Sequence, residues 1–251
     1  LKEVRRRLGH KVQVISGHEE ARLVWAGVRA YSQDAGRQLV VDIGGGSTEL
    51  IIGEGDAPIA LQSRKLGHVG WSEQFFPEGQ ITRAGMKAAV SAAEVELASA
   101  RAALIKLGWD TAVGSSGTVR AVERALIDSG MSAHGITQDG LKRLRRHLVE
   151  IGDAKAIELP GVSDDRRHVF PGGVAILSAV FRTLQIAHMT AAVGALREGL
   201  LTELIGRISH NDIRDATVQR FADRCGIDEQ QAARVAATAL DLFDQVADEW
   251  E

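Results

Sequence analysis

A single cysteine, Cys225, stands in the 251-residue chain, so no internal disulfide can form. With no basic-then-apolar leader visible, a reducing cytoplasm is the expected setting. Aromatic residues are scarce at 4%, and long apolar runs are missing. The longest stretches without a formal charge, such as Val169 to Phe181, fall short of the ~18 apolar residues a membrane span needs, which excludes an integral membrane protein. Neither sign of charge is in excess. Thirty Lys and Arg against 33 Asp and Glu leave a net charge of −3, so the surface as a whole attracts neither DNA nor an anionic membrane. A polyanion must be caught at a local site.

Several catalytic signatures are absent as well. No Gly-x-x-x-x-Gly-Lys-Ser/Thr segment occurs, which excludes a P-loop enzyme, and no Gly-x-Ser-x-Gly elbow of the serine hydrolases is present. His18-Glu19-Glu20-Ala21-Arg22 has Arg where a zinc protease needs a second His, and Cys225 and the scattered His residues have no metal-ligand spacing.

What remains suits a folded globular protein: 45% hydrophobic, 25% charged, and long enough for one large or two ordinary domains. Its 27 glycines are about half as many again as the ~7% usual, which points to loops where backbone approaches a ligand. Alternation predicts strands over Lys11–Ser16, Gln38–Ile43, Ser47–Gly53 and Pro58–Leu66, the last three forming an antiparallel meander. A helix is expected over about Glu19–Tyr31, a short one over Val69–Phe76, and a long one from an N-cap at Thr82 to Leu107. Strands at Thr111–Gly114 and His188–Ala191 alternate with helices ending at Ser129, beginning after Thr137, and spanning Gly172–Leu184 and Ala195–Ile208. This order is α/β. Beyond a boundary near Ser209 to Asp212 the chain is charged helix without strand signal, over Asp212–Cys225 and Asp228–Trp250.

Three segments carry chemistry. Val41-Asp42-Ile43-Gly44-Gly45-Gly46-Ser47-Thr48-Glu49 places a carboxylate at a strand end, then glycines whose N–H groups can approach an anion, then a hydroxyl. An ordinary hairpin turn is the plainer alternative, yet three consecutive glycines exceed its needs. Gly114-Ser115-Ser116-Gly117-Thr118 joins a strand to a helix whose N-terminus favours anions, and the two loops are expected to face each other across a cleft. Ile15-Ser16-Gly17-His18-Glu19-Glu20 turns into a helix with two acids in its first turn, where the helix dipole alone favours carboxylates. Position beside the glycine loop marks Glu20 as the candidate for catalysis. The basic runs Lys142-Arg143-Leu144-Arg145-Arg146-His147 and Arg166-Arg167-His168 read as solvated faces, with a minor claim to guiding a polyanion.

Taken together with Pro171-Gly172-Gly173 and Ala195-Leu196-Arg197-Glu198-Gly199, these motifs resemble, in order and spacing, the exopolyphosphatase and guanosine pentaphosphate phosphohydrolase family. The resemblance spans about residues 1 to 250. It implies an actin-like ATPase fold of two ribonuclease-H-like α/β domains, each a mixed sheet flanked by helices, with a helical domain behind them in longer members. Residues 1–37 would then be the remainder of the first such domain, 38–209 the second, and 210–251 the start of the helical domain. The family's Asp-x-Gly-Ser-type first phosphate loop has no counterpart, and the chain opens at Leu1 inside an apparent helix, so a fragment is expected.

By the same resemblance Glu20 activates the attacking water. Asp42 and Glu49 hold Mg2+ or another divalent cation, and Gly44, Gly45, Gly46 and Ser47 with Ser115, Ser116, Gly117 and Thr118 hold phosphate. The implied activity is hydrolysis of terminal phosphate from inorganic polyphosphate, with guanosine pentaphosphate (pppGpp) as the close alternative substrate and a non-catalytic nucleotide switch as the alternative of another class. A homodimer is implied for the full-length protein.

Overall fold

The computed structural model describes residues 6, 7, 9, 14–32, 36–208, 218, 222 and 225–246. It divides into two compact units, Leu1–Thr202 and Glu203–Glu251.

The first unit is built on six strands: β1 (Gln38–Ile43), β2 (Thr48–Glu54), β3 (Ala57–Arg64), β4 (Thr111–Gly114), β5 (Ile136–Thr137) and β6 (His188–Ala191). Their order in the sheet is β3-β2-β1-β4-β6-β5. The first three form the expected antiparallel meander, and β4 and β6 then add in parallel beside β1. Parallel addition needs crossovers that lay helices over the sheet. α2 (His68–Phe75) and α3 (Arg83–Leu107) fill the first of these, and α4 (Gly117–Asp128), α5 (Gln138–Ile151) and α6 (Phe170–Leu184) the second. α1 (Gly17–Arg29) precedes the sheet and α7 (Leu196–Ile208) follows it. This mixed sheet flanked by helices agrees with the expected actin-like ATPase fold, of which it is one α/β domain.

Both faces of β1 are covered, and all six of its residues are buried. Leu39, Val41 and Ile43 point into the larger core with Leu50 and Ile52 of β2 and the apolar sides of α3 and α6. Val40 and Ile51 point the other way, into a smaller core with Ala21, Val24, Trp25 and Val28 of α1. Period-two alternation therefore puts Asp42, two residues on from Val40, on the α1 face. The seat of α1 is tight: a Cβ on Gly53 would run into the Trp25 indole, and one on Gly17 into Ser63. Where α1 meets the start of α7, glycines let the backbones approach closely. A Cβ on Gly27 would strike the Ala195 carbonyl, one on Gly194 the Gly27 carbonyl, and one on Gly199 the Leu23 carbonyl.

The caps explain where helices start. Thr82 Oγ1 accepts from the Gly85 N–H (3.0 Å) and Thr137 Oγ1 from Gly140 (3.1 Å), as the hydroxyls in the sequence predict. Of the expected strand Lys11–Ser16, residues 11–13 lie outside the described residues and Val14–Ser16 form no regular element. Most of the expected helix at Asp212–Cys225 also lies outside them. In the second unit α8 (Glu229–Asp244) begins at Asp228, whose carboxylate caps Gln230 and Gln231 at 3.0 and 3.1 Å. No helix among the described residues is long and apolar enough to cross a membrane.

Candidate functional site

Three carboxylates meet on the α1 face of the sheet. The turn Gly44–Ser47 joins β1 to β2 in a register that sets Asp42 directly opposite Glu49, and Glu49 in turn opposite Ser63 of β3. Directly opposed residues have Cβ atoms about 5 Å apart, and like charges there repel by about 3 kcal/mol at an effective dielectric of 20. Serine hydroxyls answer part of that cost. Ser115 Oγ donates to Asp42 Oδ2 at 2.6 Å and Ser63 Oγ to Glu49 Oε1 at 2.9 Å. The larger opposing effect is burial, since a carboxylate taken out of water loses its hydration. Glu49 is pushed up to about 7 by burial, against the lowering donors Ser63 and Ser47, with Glu20 and then Asp42 adding a smaller rise. Asp42 is also raised, by burial, with Ser115 and Arg120 opposing.

Glu20 is brought there by its helix. Ser16 Oγ accepts from the Glu19 N–H (3.3 Å) and starts α1 over the end of β3, leaving Glu20 half-buried in the first turn. Burial, then Asp42, raises its carboxyl above the ordinary range. Glu19, one residue earlier, is spent on Arg22 through two hydrogen bonds of 2.7 and 2.9 Å.

The glycine loop stands at the carboxyl end of β1. Its carbonyls are tied down: Gly44 O accepts from His68 N (3.0 Å) and Gly45 O from Val69 N (3.2 Å), and Gly67 must lack a side chain because a Cβ would strike Gly45. The N–H groups of Gly45 and Gly46 have no acceptor among the described residues. Neither glycine has positive φ, and a Cβ would meet nothing at Gly46 and only Val69 Cγ2, at 3.5 Å, at Gly45. Neither backbone conformation nor packing therefore requires glycine here. Open space above the donors is what these residues preserve.

The second loop, at the end of β4, is the first loop's neighbour on the same sheet edge rather than its opposite wall, because β1 and β4 pair in parallel. Ser115 N donates to Val41 O at 3.0 Å, so the loop is zipped onto β1. Its hydroxyls are occupied, Ser115 by Asp42 and Ser116 as the cap of α4, accepting from Val119 N at 3.2 Å. The N–H groups of Gly117 and Thr118 have no acceptor among the described residues.

A metal fits the donor set. Glu49 Oε2 is buried and without a hydrogen-bond partner among the described residues, beside Asp42, and carboxylate oxygens suit a hard divalent cation. Among the described residues no three His, Cys, Asp or Glu side chains form a complete cage. Two carboxylates that leave positions for water and phosphate oxygens are the usual holder of Mg2+.

Residues with little or no signal in the sequence also border the site. Ser63 contacts Glu49 from the third strand, and His68 opens α2 beside the glycine loop. Arg166 lies over Gly117, whose Cβ would collide with the guanidinium. Of the two basic runs, Arg166 and His168 thus approach the loops. In the other, Arg143 pairs with Asp139 at 2.8 Å on the exposed face of α5.

A family model described as the Ppx/GppA phosphatase family matches residues 1–208. A guanosine-5'-triphosphate,3'-diphosphate pyrophosphatase of Vibrio vulnificus is 43% identical over 96% of this chain and 48% of its own length. One of Photobacterium profundum is 40% identical over 97% and 49%. The chain thus spans about half the length of these relatives. Among solved structures, the Ppx/GppA family member of Aquifex aeolicus superposes with a TM-score of 0.66 at 26% identity, covering 82% of this chain and 68% of that one. An exopolyphosphatase of Cytophaga hutchinsonii gives a TM-score of 0.68 at 21% identity, covering 81% and 68%, a likeness of fold.

Proposed function

The chain belongs to the Ppx/GppA phosphatase family, and from that premise we propose that it carries one side of a phosphoanhydride hydrolase site whose substrate is guanosine pentaphosphate. The observation that carries the reading is the cluster of Glu20, Asp42 and Glu49 beside glycine N–H groups held open. Long-chain polyphosphate, placed first on the motifs alone, gives way to the pentaphosphate because relatives at 40 to 43% identity bear that name. The similarity to a protein named exopolyphosphatase is at 21% identity.

Hydrolysis of a terminal phosphate is a problem of charge, since water must attack an anion. The donors at Gly45 and Gly46 would take phosphate oxygens without moving, as stabilisation by preorganised dipoles requires. Asp42 and Glu49 would hold the divalent cation, which supplies positive charge to the phosphate oxygens when bound. Glu20 accepts the proton of the attacking water. Burial, then Asp42, raises its carboxyl, which makes it a stronger base than an exposed glutamate. A non-catalytic nucleotide switch has no use for such a carboxylate. Phosphate release by the full-length protein from the pentaphosphate, long-chain polyphosphate and ATP, with Mg2+ and with chelator, tests the reading. The highest kcat/KM is expected for the pentaphosphate with Mg2+, and failure to hydrolyse it would remove the assignment.

A further inference from the structure

On the far side of the glycine loop from the carboxylates lies a cleft of about 270 Å³, lined by His68, Thr118, Arg166, His168 and Phe170, with Asp165 at its rim. The elements that meet there come from distant parts of the sequence: the start of α2, the first turn of α4 and the segment leading into α6. Three basic side chains converge. His68 is depressed below the ordinary imidazole range by burial, then by Arg166, then by His168, so the three lie close enough to repel. His68 Nδ1 is buried and finds no hydrogen-bond partner among the described residues. Neither the Arg166 guanidinium nor the His168 ring has a hydrogen bond or ion pair among them. Asp165 is fully exposed, and its carboxylate is engaged first by the Ser163 hydroxyl and only more weakly by the charges of Arg166 and His168, with no hydrogen bond to either.

One solvent-exposed carboxylate does not satisfy these groups: the Arg166 and His168 side chains remain without a hydrogen bond among the described residues, beside a half-buried imidazole with an orphaned nitrogen. An anion resolves all three deficits at once. The size of the cleft narrows the choice, since it lies just below the ~300 to 1,000 Å³ of whole-ligand pockets and so suits a phosphate or diphosphate group rather than a complete nucleotide. Its position narrows the choice further. Val69 touches the space above Gly45, and Arg166 covers Gly117, so the cleft adjoins both loops where the reacting phosphate would sit.

We propose that His68, Arg166 and His168 form a second anion subsite, which takes a diphosphate group of the substrate other than the one being hydrolysed. The subsite rests on the phosphohydrolase reading for its substrate and supplies what that site lacks, a contact that distinguishes a substrate with a second phosphate arm from a simple triphosphate. Two sources share this chemistry: the 3'-diphosphate of guanosine pentaphosphate and the following phosphates of a polyphosphate chain.

The test uses the full-length protein with the variants His168→Gln, His68→Asn and the two combined. His168 is exposed, so its replacement leaves folding intact even if the His68 change does not. Titration with inorganic pyrophosphate should show affinity reduced about tenfold or more in the double variant, the scale of one or two hydrogen bonds to a charged group. Kinetics then identify the source. If the nucleotide arm sits there, kcat/KM for the pentaphosphate relative to GTP falls about tenfold, with the loss in KM. If the polymer does, the ratio of long-chain polyphosphate to tripolyphosphate falls instead. Pyrophosphate affinity and both ratios unchanged within twofold would overturn the subsite, as would a wild type that does not bind pyrophosphate. A wild type that binds pyrophosphate in a His-dependent way yet hydrolyses none of the four substrates would defeat the proposed function and leave the subsite standing.

Discussion

Glu19 and Glu20 are adjacent acids in one helical turn with opposite surroundings. Glu19 is paired with Arg22, whereas Glu20 faces Asp42 and Glu49. Glu20→Gln keeps the shape and removes the base, so kcat should fall by ~10²-fold or more with little change in KM, while Glu19→Gln should be mild. Near-normal turnover by Glu20→Gln would take that residue out of the mechanism. Gly45→Val should abolish activity in a protein that still folds, because φ there is not positive and the added side chain would occupy the space above the loop donors. An active Gly45→Val variant, shown folded by circular dichroism, would reduce the loop to a hairpin turn. Glu49 sets a pH dependence. Its carboxyl is raised from 4.5 to about 7 in the folded state, so between those values the folded protein holds a proton the unfolded chain has lost. The associated stability is present below about pH 4.5 and lost as pH rises through about 7, to a total of about 3 kcal/mol. Without divalent cation, Tm should therefore fall between pH 5 and 8 by roughly 6–12 °C for a unit of this size. Mg2+ should recover much of the loss at pH 8, and Glu49→Gln should flatten the slope. A Tm that is level or rising over that range in the metal-free wild type would contradict a Glu49 carboxyl raised by its burial.

The elements bearing these residues differ in how openly the sequence announces them. β1 is bounded in the structure as its apolar run predicts, because a central strand is hydrophobic throughout and the glycines cut it off sharply. Hydroxyls at Thr82 and Thr137 mark helix starts by a local interaction, so no knowledge of the rest of the chain is needed. β5 escapes notice because two residues carry no periodicity, and it exists only by pairing with β6. In the same way the acids, the glycine loop and Glu20 are legible from short motifs, whereas Ser63, His68 and the approach of Arg166 to Gly117 depend on strand register and helix packing between remote segments. The contact of α1 with α7 belongs to this second kind. Gly27→Ala should clash with the Ala195 carbonyl and lower stability by about 1 to 3 kcal/mol, read as a loss of Tm or denaturant midpoint. An unchanged midpoint would mean the two helices slide apart without penalty.

At the scale of the whole molecule, the small net charge of −3 separates this protein from those that collect polyanions over a broad basic surface. Proteins that neutralise 6 to 10 phosphates lose about 10³- to 10⁵-fold in affinity between 50 and 200 mM salt. If capture belongs to the two loops and one cleft, as proposed, kcat/KM of the full-length protein for its phosphate substrate should fall by less than about tenfold over that range. A steeper decline would point to a basic surface beyond the described site. The glycine loop carries a wider implication. Since Gly45 and Gly46 offer only main-chain donors, and every residue has the same main chain, a loop that holds phosphate as proposed would accept a phosphoryl group without reading what the group is attached to. Discrimination has to be delegated to side chains elsewhere, such as those around the neighbouring cleft. Such a division of labour lets a lineage change its substrate by altering a few side chains at the periphery while the chemistry at the centre is inherited intact.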